Sequence, residues 1–211
     1  RILEIVLEDP ISELLKRHLF EPLGMHDTGF SVRSENSNRL MQMYGKTLDE
    51  IYDDPFGEKV LEERECEAAY PSRPEAEIGR GGHGLFSTAR DYLEFAFMTK
   101  SGYSREGEPL VSRKVLEFAW HNGLQPHLMP IAVGSFPQPG YGWNLLGRVM
   151  TDLGRAIHPT GMDEGGWAGA AATYYWVDRQ EDLVGVVMTQ NLGIISPMRN
   201  DMQTATYQAL T

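Results

Sequence analysis

Between Gly165 and Met188 the sequence leaves the chain little choice of fold. Gly165-Gly166-Trp167-Ala168-Gly169-Ala170-Ala171-Ala172 is a block of small residues around one tryptophan. It runs into Thr173-Tyr174-Tyr175-Trp176-Val177, then a polar turn, Asp178-Arg179-Gln180-Glu181-Asp182, then Leu183-Val184-Gly185-Val186-Val187-Met188. Aromatic and β-branched residues favour the pleated surface of a strand. A near-continuous apolar run of this length is expected of a strand buried on both faces. Two strands joined by so short a turn pair antiparallel. Small residues beside a strand mark a close approach of another backbone. The N–H groups of such a segment can form an oxyanion hole, but the pattern alone favours a tightly packed sheet crossing.

Upstream the texture is helical. Asp9 reads as an N-cap with Pro10 at the first helical position. Ile11, Leu14, Leu15, Leu19 and Phe20 then form one apolar face, and Pro22 stops the helix. Leu23-Gly24-Met25 tucks beneath it, and Asp27-Thr28-Gly29 is a turn. Thr88, with Asp91 three residues on, makes a capping box for a helix through Tyr92, Leu93, Phe95, Ala96, Phe97 and Met98. A second helix runs from Ser112 to about His121, Pro126 to Gly140 is loop, and Tyr141 to Gly147 reads as one strand. A closing helix spans about Pro197 to Leu210. Tyr141 and Trp143 read as packing residues, as aromatic strand residues usually are. Helices first, then an antiparallel sheet, then a helix argue α+β. Residues 1–140 form a mainly helical lobe with loops, and residues 141–211 the sheet and its closing helix.

Charge and cysteine usage exclude several functions. The 211 residues carry 19 Lys and Arg against 30 Asp and Glu, a net charge of −11. Nucleic-acid binding rests on basic clusters, and this chain has none. Residues 46–67 hold nine acidic and three basic side chains, more than half of the net charge. With Pro55 and Gly57 they read as a solvated excursion, or a lid that repels anions. The single cysteine, Cys66, excludes an internal disulfide, and its acidic surroundings make it a poor nucleophile. No apolar run reaches the roughly 18–20 residues of a membrane-spanning helix, so no membrane span is expected. No basic, apolar and small-residue signal segment is present within these residues, and the chain reads as soluble.

Standard catalytic motifs fail on context. Gly79-x-Gly81-x-x-Gly84 matches a dinucleotide fingerprint in letters only, because no strand precedes it and no βαβ unit surrounds it. Gly45-Lys46-Thr47 lacks the upstream glycine of a phosphate loop. Neither Gly-x-Ser-x-Gly nor Ser-x-x-Lys occurs. Histidines 18, 26, 83, 121, 127 and 158 show no metal-ligand spacing, so no metal and no cofactor is expected.

Three segments, in order, resemble the serine β-lactamase-like hydrolases: class C β-lactamases, D-alanyl-D-alanine peptidases and family VIII esterases. The first is Leu19-Phe20-Glu21-Pro22-Leu23-Gly24-Met25-His26-Asp27-Thr28-Gly29-Phe30. The second is Gly81-Gly82-His83-Gly84-Leu85-Phe86-Ser87-Thr88-Ala89-Arg90-Asp91-Tyr92. The third runs from Gly140-Tyr141-Gly142-Trp143 through Gly166-Trp167-Ala168-Gly169 to Trp176-Val177-Asp178 and Met188-Thr189-Gln190-Asn191. The ordered set, at plausible spacings, carries the resemblance.

The resemblance implies a β-lactamase/transpeptidase-like fold, an antiparallel sheet of five strands flanked by helices. It also implies two-step acyl transfer through an acyl-enzyme. In that family the nucleophilic Ser, its Lys and the catalytic Tyr precede the first segment. Tyr70-Pro71-Ser72 falls on the wrong side of it. The opening, apolar at residues 2, 3, 5, 6 and 7 with no cap before it, reads as the middle of an element. The expectation is therefore a C-terminal portion, lacking the N-terminal strands and nucleophile helix and inactive alone. Leu183–Met188 would then need a missing N-terminal segment or self-association to cover its free edge. Trp167-Ala168-Gly169 takes the place of Lys-Thr-Gly, similar to the Trp-x-Gly of the esterase branch. By resemblance the Ala170 N–H is an oxyanion donor, Trp167 walls the acyl pocket, and Trp167, Ala168 and Gly169 contact substrate. Loss of the Lys removes a cation, which favours neutral esters over anionic β-lactams. Two other readings stay open: a true β-lactamase or D-Ala peptidase, and a non-catalytic binding or scaffold domain without the nucleophile.

Overall fold

The structure, a computed structural model, describes residues 1–45, 62–64, 84–134, 136–192 and 197–210. Cys66, Tyr70-Pro71-Ser72, the cluster Gly79–His83 and most of the acidic excursion lie outside the described residues.

In chain order the elements begin with helices α1 (Ile2–Leu7) and α2 (Ile11–Leu15), a π-helical turn (Lys16–Phe20) and a 3-10 turn (Ser34–Arg39). Strands β1 (Met43–Gly45) and β2 (Glu62–Arg64) precede helices α3 (Ala89–Ser101) and α4 (Arg113–Trp120). A small hairpin follows, β3 (Ala132–Val133) and β4 (Phe136–Pro137). The main strands are β5 (Tyr141–Asn144), β6 (Gly147–Met150), β7 (Gly165–Ala168), β8 (Tyr174–Asp178) and β9 (Leu183–Val187). β10 (Asn191–Leu192) and helix α5 (Met198–Gln208) close the chain. Among the described residues no helix is long and apolar enough to cross a membrane.

Strands β5 to β9 form one antiparallel sheet in sequence order. All five come from residues 141–187, because 141–150 folds as a hairpin where the sequence reads as one strand over Tyr141 to Gly147. Asn144 explains the difference. Its side-chain oxygen accepts from the Leu146 N–H at 2.8 Å, and the Leu145 N–H bonds the Ala119 carbonyl at 3.1 Å, so the chain reverses over two leucines. β9 sits at the sheet edge and is half-buried, with β8 as its one described neighbour. The sequence expectation of burial on both faces is corrected accordingly. A parallel pairing of β1 with β10 and an antiparallel one with β2 make a second, three-stranded sheet.

The sheet has helices on both faces. On one, Tyr175 and Val177 pack with Ala96, Leu116 and Trp120 of α3 and α4. The Trp120 indole N–H donates to the Thr99 carbonyl at 2.8 Å, tying the two helices together. On the other, Tyr174 and Asp178 meet α5: the Tyr174 hydroxyl bonds Gln203 at 3.2 Å, and the Tyr207 hydroxyl donates to Asp178 at 2.6 Å. A second cluster, Phe20, Leu23, Met25 and Met98, seats the turn after α2 beneath α3.

The entry to α2 departs from the sequence reading. Asp9 does not cap it; its carboxylate pairs with Arg17. Pro10 is the N-cap residue, and the Ile11 N–H is satisfied by Glu4 of the preceding helix at 3.0 Å. The helix then widens into the π-turn instead of running regularly to Phe20. Residues 126–140, read as loop, contain a 3-10 turn and the β3–β4 hairpin.

Candidate functional site

The small-residue block divides in two. Its first half, Gly165 and Gly166, is the tight crossing. In β7, Gly166 lies opposite Trp176 of β8. Its second half is the β7–β8 turn. The Gly169 N–H donates to the Thr173 carbonyl at 2.8 Å, and the Ala172 N–H to the Gly169 carbonyl at 3.1 Å. Any side chain at Gly169 would collide with the Thr173 hydroxyl. Ala172 holds φ +58, a conformation that costs a non-glycine residue stability. The Ala171 carbonyl accepts from the Asn191 N–H at 3.1 Å and from the Thr189 hydroxyl at 2.5 Å, which pins the turn to the chain leaving β9. Among the described residues, the amides of Ala170 and Ala171 bond to no acceptor. Two successive free N–H groups on a fixed turn are suited to receive a negative oxygen.

That turn borders a cleft of about 1250 Å³. Gly169, Ala170, Ala171 and Thr173 line it, together with parts of residues 15–43, 84–95 and 188–192. Trp167 and Ala168 do not line it. The Trp167 ring packs into the α3–α4 core and meets Trp143 edge-to-face, centroids 4.5 Å apart. Strand alternation is the reason: Trp167 pairs with Tyr175, whose side chain faces the helices, so Trp167 faces them too. Of the expected site residues, the structure brings Gly169 and Ala170 to the cleft and leaves Trp167 and Ala168 in the sheet. Tyr141 is buried, as its packing role requires, whereas Trp143 is 38% exposed.

The cleft is braced by the first two motif segments. The Thr88 hydroxyl caps α3 by accepting from the Asp91 N–H at 3.1 Å. The reciprocal half of a capping box is absent, because the Asp91 carboxylate turns to the Asp27 N–H and the Thr28 hydroxyl, both at 2.8 Å. Ser87 bonds the same Thr28 hydroxyl at 2.8 Å. Thr28 gives its proton to Asp91, so Ser87 donates to Thr28 and has no His or Lys base among its described partners; it is held, not activated. Asp91→Ala would leave the Asp27 N–H and Thr28 hydroxyl without their carboxylate in a buried setting. The expected loss is about 2–4 kcal/mol, read from the denaturant midpoint, with Asp91→Asn losing less because it keeps an acceptor.

Tyr92 is the one tyrosine among the described lining residues. Burial raises its phenol above the usual range, so it stays protonated near neutral pH and is no general base there. No three His, Cys, Asp or Glu side chains gather as a metal site among the described residues.

Sequence reasoning missed a charged group on the cleft. Asp27 accepts from Arg39 at 2.8 Å, from Arg33 at 3.1 Å and from Asn36 at 3.1 Å. The Arg39 hydrogen bond, assisted by Arg33, holds the Asp27 carboxyl below the usual carboxylate range despite partial burial. Nothing in the spacing of these residues marks them as a group; the 3-10 turn Ser34–Arg39 folds the two arginines back onto Asp27.

Comparison with known proteins matches this architecture to a described family. A family model described as Beta-lactamase matches residues 1–206. The chain belongs to the β-lactamase family. Two curated proteins of Mycobacterium tuberculosis, Uncharacterized protein MT1414 (strain CDC 1551 / Oshkosh) and Protein Rv1367c (strain ATCC 25618 / H37Rv), are each 28% identical to it over 196 residues. The match covers 88% of this chain and 45% of theirs, so the chain spans less than half the length of these relatives. Among solved structures, "EstCE1, a hydrolase with promiscuous acyltransferase activity" superposes with a TM-score of 0.76 at 18% identity, covering 98% of this chain and 53% of that one. Simvastatin synthase LovD from Aspergillus terreus (LovD6 mutant) gives 0.75 at 18%, covering 97% and 53%. At such identities the likeness is one of fold: α+β, β-lactamase/transpeptidase-like. In this β-lactamase-family chain the free amides of Ala170 and Ala171 thus lie where the third of the three family-like segments meets the cleft.

Proposed function

We propose that this chain forms the oxyanion side of the active site in a β-lactamase-related serine hydrolase. The reaction is acyl transfer from an ester, or an amide, to water. The observation that carries the reading is the unbonded Ala170 amide on the rim of the cleft. A serine oxygen, in a Ser-x-x-Lys motif outside these 211 residues, attacks the substrate carbonyl carbon while Lys and Tyr take its proton. The carbonyl oxygen becomes an oxyanion, and the Ala170 N–H and the nucleophile's own N–H stabilise it. Collapse expels the alcohol and leaves an acyl-enzyme, which water hydrolyses. The likeness to EstCE1, a hydrolase with promiscuous acyltransferase activity, supports acyl chemistry.

The substrate preference is for esters over β-lactams, because Trp167-Ala168-Gly169 supplies no cation where Lys-Thr-Gly would. With Trp167 turned into the core, the acyl wall falls to Gly169, Ala170 and Ala171. The free edge of β9 is covered by a strand of a preceding segment or of a second copy, since an apolar unpaired edge invites pairing.

The test uses the natural full-length polypeptide. It should hydrolyse 4-nitrophenyl acetate, lose that activity when the Ser of its Ser-x-x-Lys motif becomes Ala, and turn over nitrocefin far more slowly. Faster nitrocefin turnover would favour the β-lactamase reading. A gene that encodes no such motif would favour the non-catalytic scaffold.

A further inference from the structure

We propose that the cleft selects acyl substrates that carry a free carboxylate away from the scissile carbonyl, and that Arg39, with Arg33 beside it, receives that carboxylate. The proposal rests on the hydrolase reading of the same cleft and reverses the preference for neutral esters expected from the missing Lys.

The chain as a whole is strongly acidic, at −11. The described cleft lining is not: Lys16, Arg33 and Arg39 face Glu21 and Asp27. Cations in the lining of a cleft on an acidic protein attract small anions that the rest of the surface repels.

Geometry narrows the choice to the arginines. Lys16 has Glu21 as a partner, 4.0 Å away. Arg33 and Arg39 share one carboxylate, Asp27. Its Oδ1 takes Arg33 and Asn36, and its Oδ2 takes Arg39. Asp27 is itself fixed, since its backbone N–H is bonded to the buried Asp91. The pair of guanidiniums is thus held in place by the one carboxylate of Asp27. Glu35, 3.5 Å from Arg33, balances the second guanidinium from the Arg33 side, which leaves Arg39 the better-placed cation. Arg39 is also the less engaged. Its bonds to Asp27 and Asn36 both run through Nη1, and a guanidinium has five N–H donors in a planar fork. Nη2 and Nε remain for a carboxylate, which such a fork binds in bidentate fashion. The Arg39 side chain is 53% exposed, so a ligand can reach it.

The arginines come from residues 33–39 and the free amides from residues 170–171, two separate parts of one lining. A substrate whose carbonyl oxygen meets the amides therefore presents its carboxylate from a different part of the molecule. A short dicarboxylic acid esterified at one end is the simplest such compound.

The experiment compares two esters in the natural full-length polypeptide: the monoanion 4-nitrophenyl hydrogen succinate and the neutral 4-nitrophenyl butyrate. The ratio of their kcat/KM values, each corrected for spontaneous hydrolysis, is the readout. Arg39→Gln should lower the anion-to-neutral ratio about fivefold, the upper range for a solvent-exposed charge contact. Arg39→Lys should recover part of it, and about 0.5 M NaCl should erase most of the wild-type preference. A ratio that Arg39→Gln leaves unchanged overturns the proposal. Hydrolysis of neither ester overturns the hydrolase reading instead. The anion site is then decided by NMR titration with monomethyl succinate and with dimethyl succinate. Chemical-shift changes at residues 33–39 with the monoanion alone, lost in Arg39→Gln, support it; no such changes overturn it. An unchanged denaturant midpoint for Arg39→Gln separates lost recognition from lost folding, and Arg33→Gln serves as the second variant if Arg39→Gln fails to fold.

Discussion

Replacing Arg148 with methionine should destabilise the protein by about 3–5 kcal/mol, the range for breaking a buried charge pair by removing one partner. Arg148 is 2% exposed and Glu164 is fully buried. The two are joined through Tyr174, whose hydroxyl accepts from Arg148 at 2.6 Å and bonds Glu164 at 3.3 Å. Tyr141 and Thr160 donate to the same carboxylate at 2.7 and 3.0 Å. The Arg148 guanidinium also lies over the Tyr141 ring, 4.0 Å from its centroid. Burial works against the Arg148 charge, but Tyr174, Tyr141 and Glu164 outweigh it and raise its pKa above the ordinary value. Burial, with Glu164 next, raises both phenols, so they stay neutral donors. Without Arg148, Glu164 keeps its neutral donors and loses the more deeply buried of the two arginines whose charge acts on it, Arg199 being the other. The double variant Arg148→Met with Glu164→Gln should recover a substantial part of the loss, because the under-compensated charge is gone. Denaturant midpoints of the wild type, both single variants and the double variant give the coupling. Additive losses would mean that the two charges do not depend on one another.

Gly166→Ala is the second large effect. An added Cβ would lie 2.9 Å from the Trp176 Cα and closer still to the Tyr175 carbonyl oxygen. Both neighbours are backbone of β8, so no side-chain rotation relieves the clash, and β7 must move away from its partner. Overpacking of this kind costs about 1–3 kcal/mol. It also reaches the site, because β7 leads through Ala168 directly into the Gly169–Ala172 turn. On the proposed hydrolase reading, the variant made in the natural full-length polypeptide should lose ester hydrolysis by a larger factor than its stability loss explains. Gly123→Ala is the control: its added methyl meets nothing closer than 3.8 Å, and its midpoint should stay within about 0.5 kcal/mol of wild type. Equal midpoints for the two variants would show that β7 and β8 have room the structure denies them.

What the sequence reveals follows from how local each signal is. The Thr88 cap, the helix from Ser112, the aromatic strand and the apolar run after it were all legible, because each depends on neighbours a few residues away. The hairpin at Tyr141–Met150 was not, since its reversal rests on the Asn144 side chain and on a bond to Ala119 from another helix. The pairing of β1 with β10 joins two short segments far apart in the chain, with no periodicity to announce it. At the site, Gly169 and Ala170, singled out by the family resemblance, are the two expected residues that line the cleft. Trp167 misled because its conspicuous ring follows strand alternation into the core. Arg33 and Arg39 carry no pattern until a turn folds them onto Asp27. Arg148 looks like an ordinary strand charge until the fold closes two tyrosines around it.

The reading as a serine hydrolase whose oxyanion is met by the Gly169–Ala172 turn is tested most directly by a crystal structure of the natural full-length polypeptide inactivated with a 4-nitrophenyl alkylphosphonate. The phosphonyl oxygen stands in for the oxyanion of the tetrahedral intermediate. The expected result is a serine adduct in the cleft, with that oxygen within about 3.1 Å of the Ala170 nitrogen. An adduct outside the cleft, or an oxygen bonded only to groups remote from Ala170 and Ala171, would contradict it.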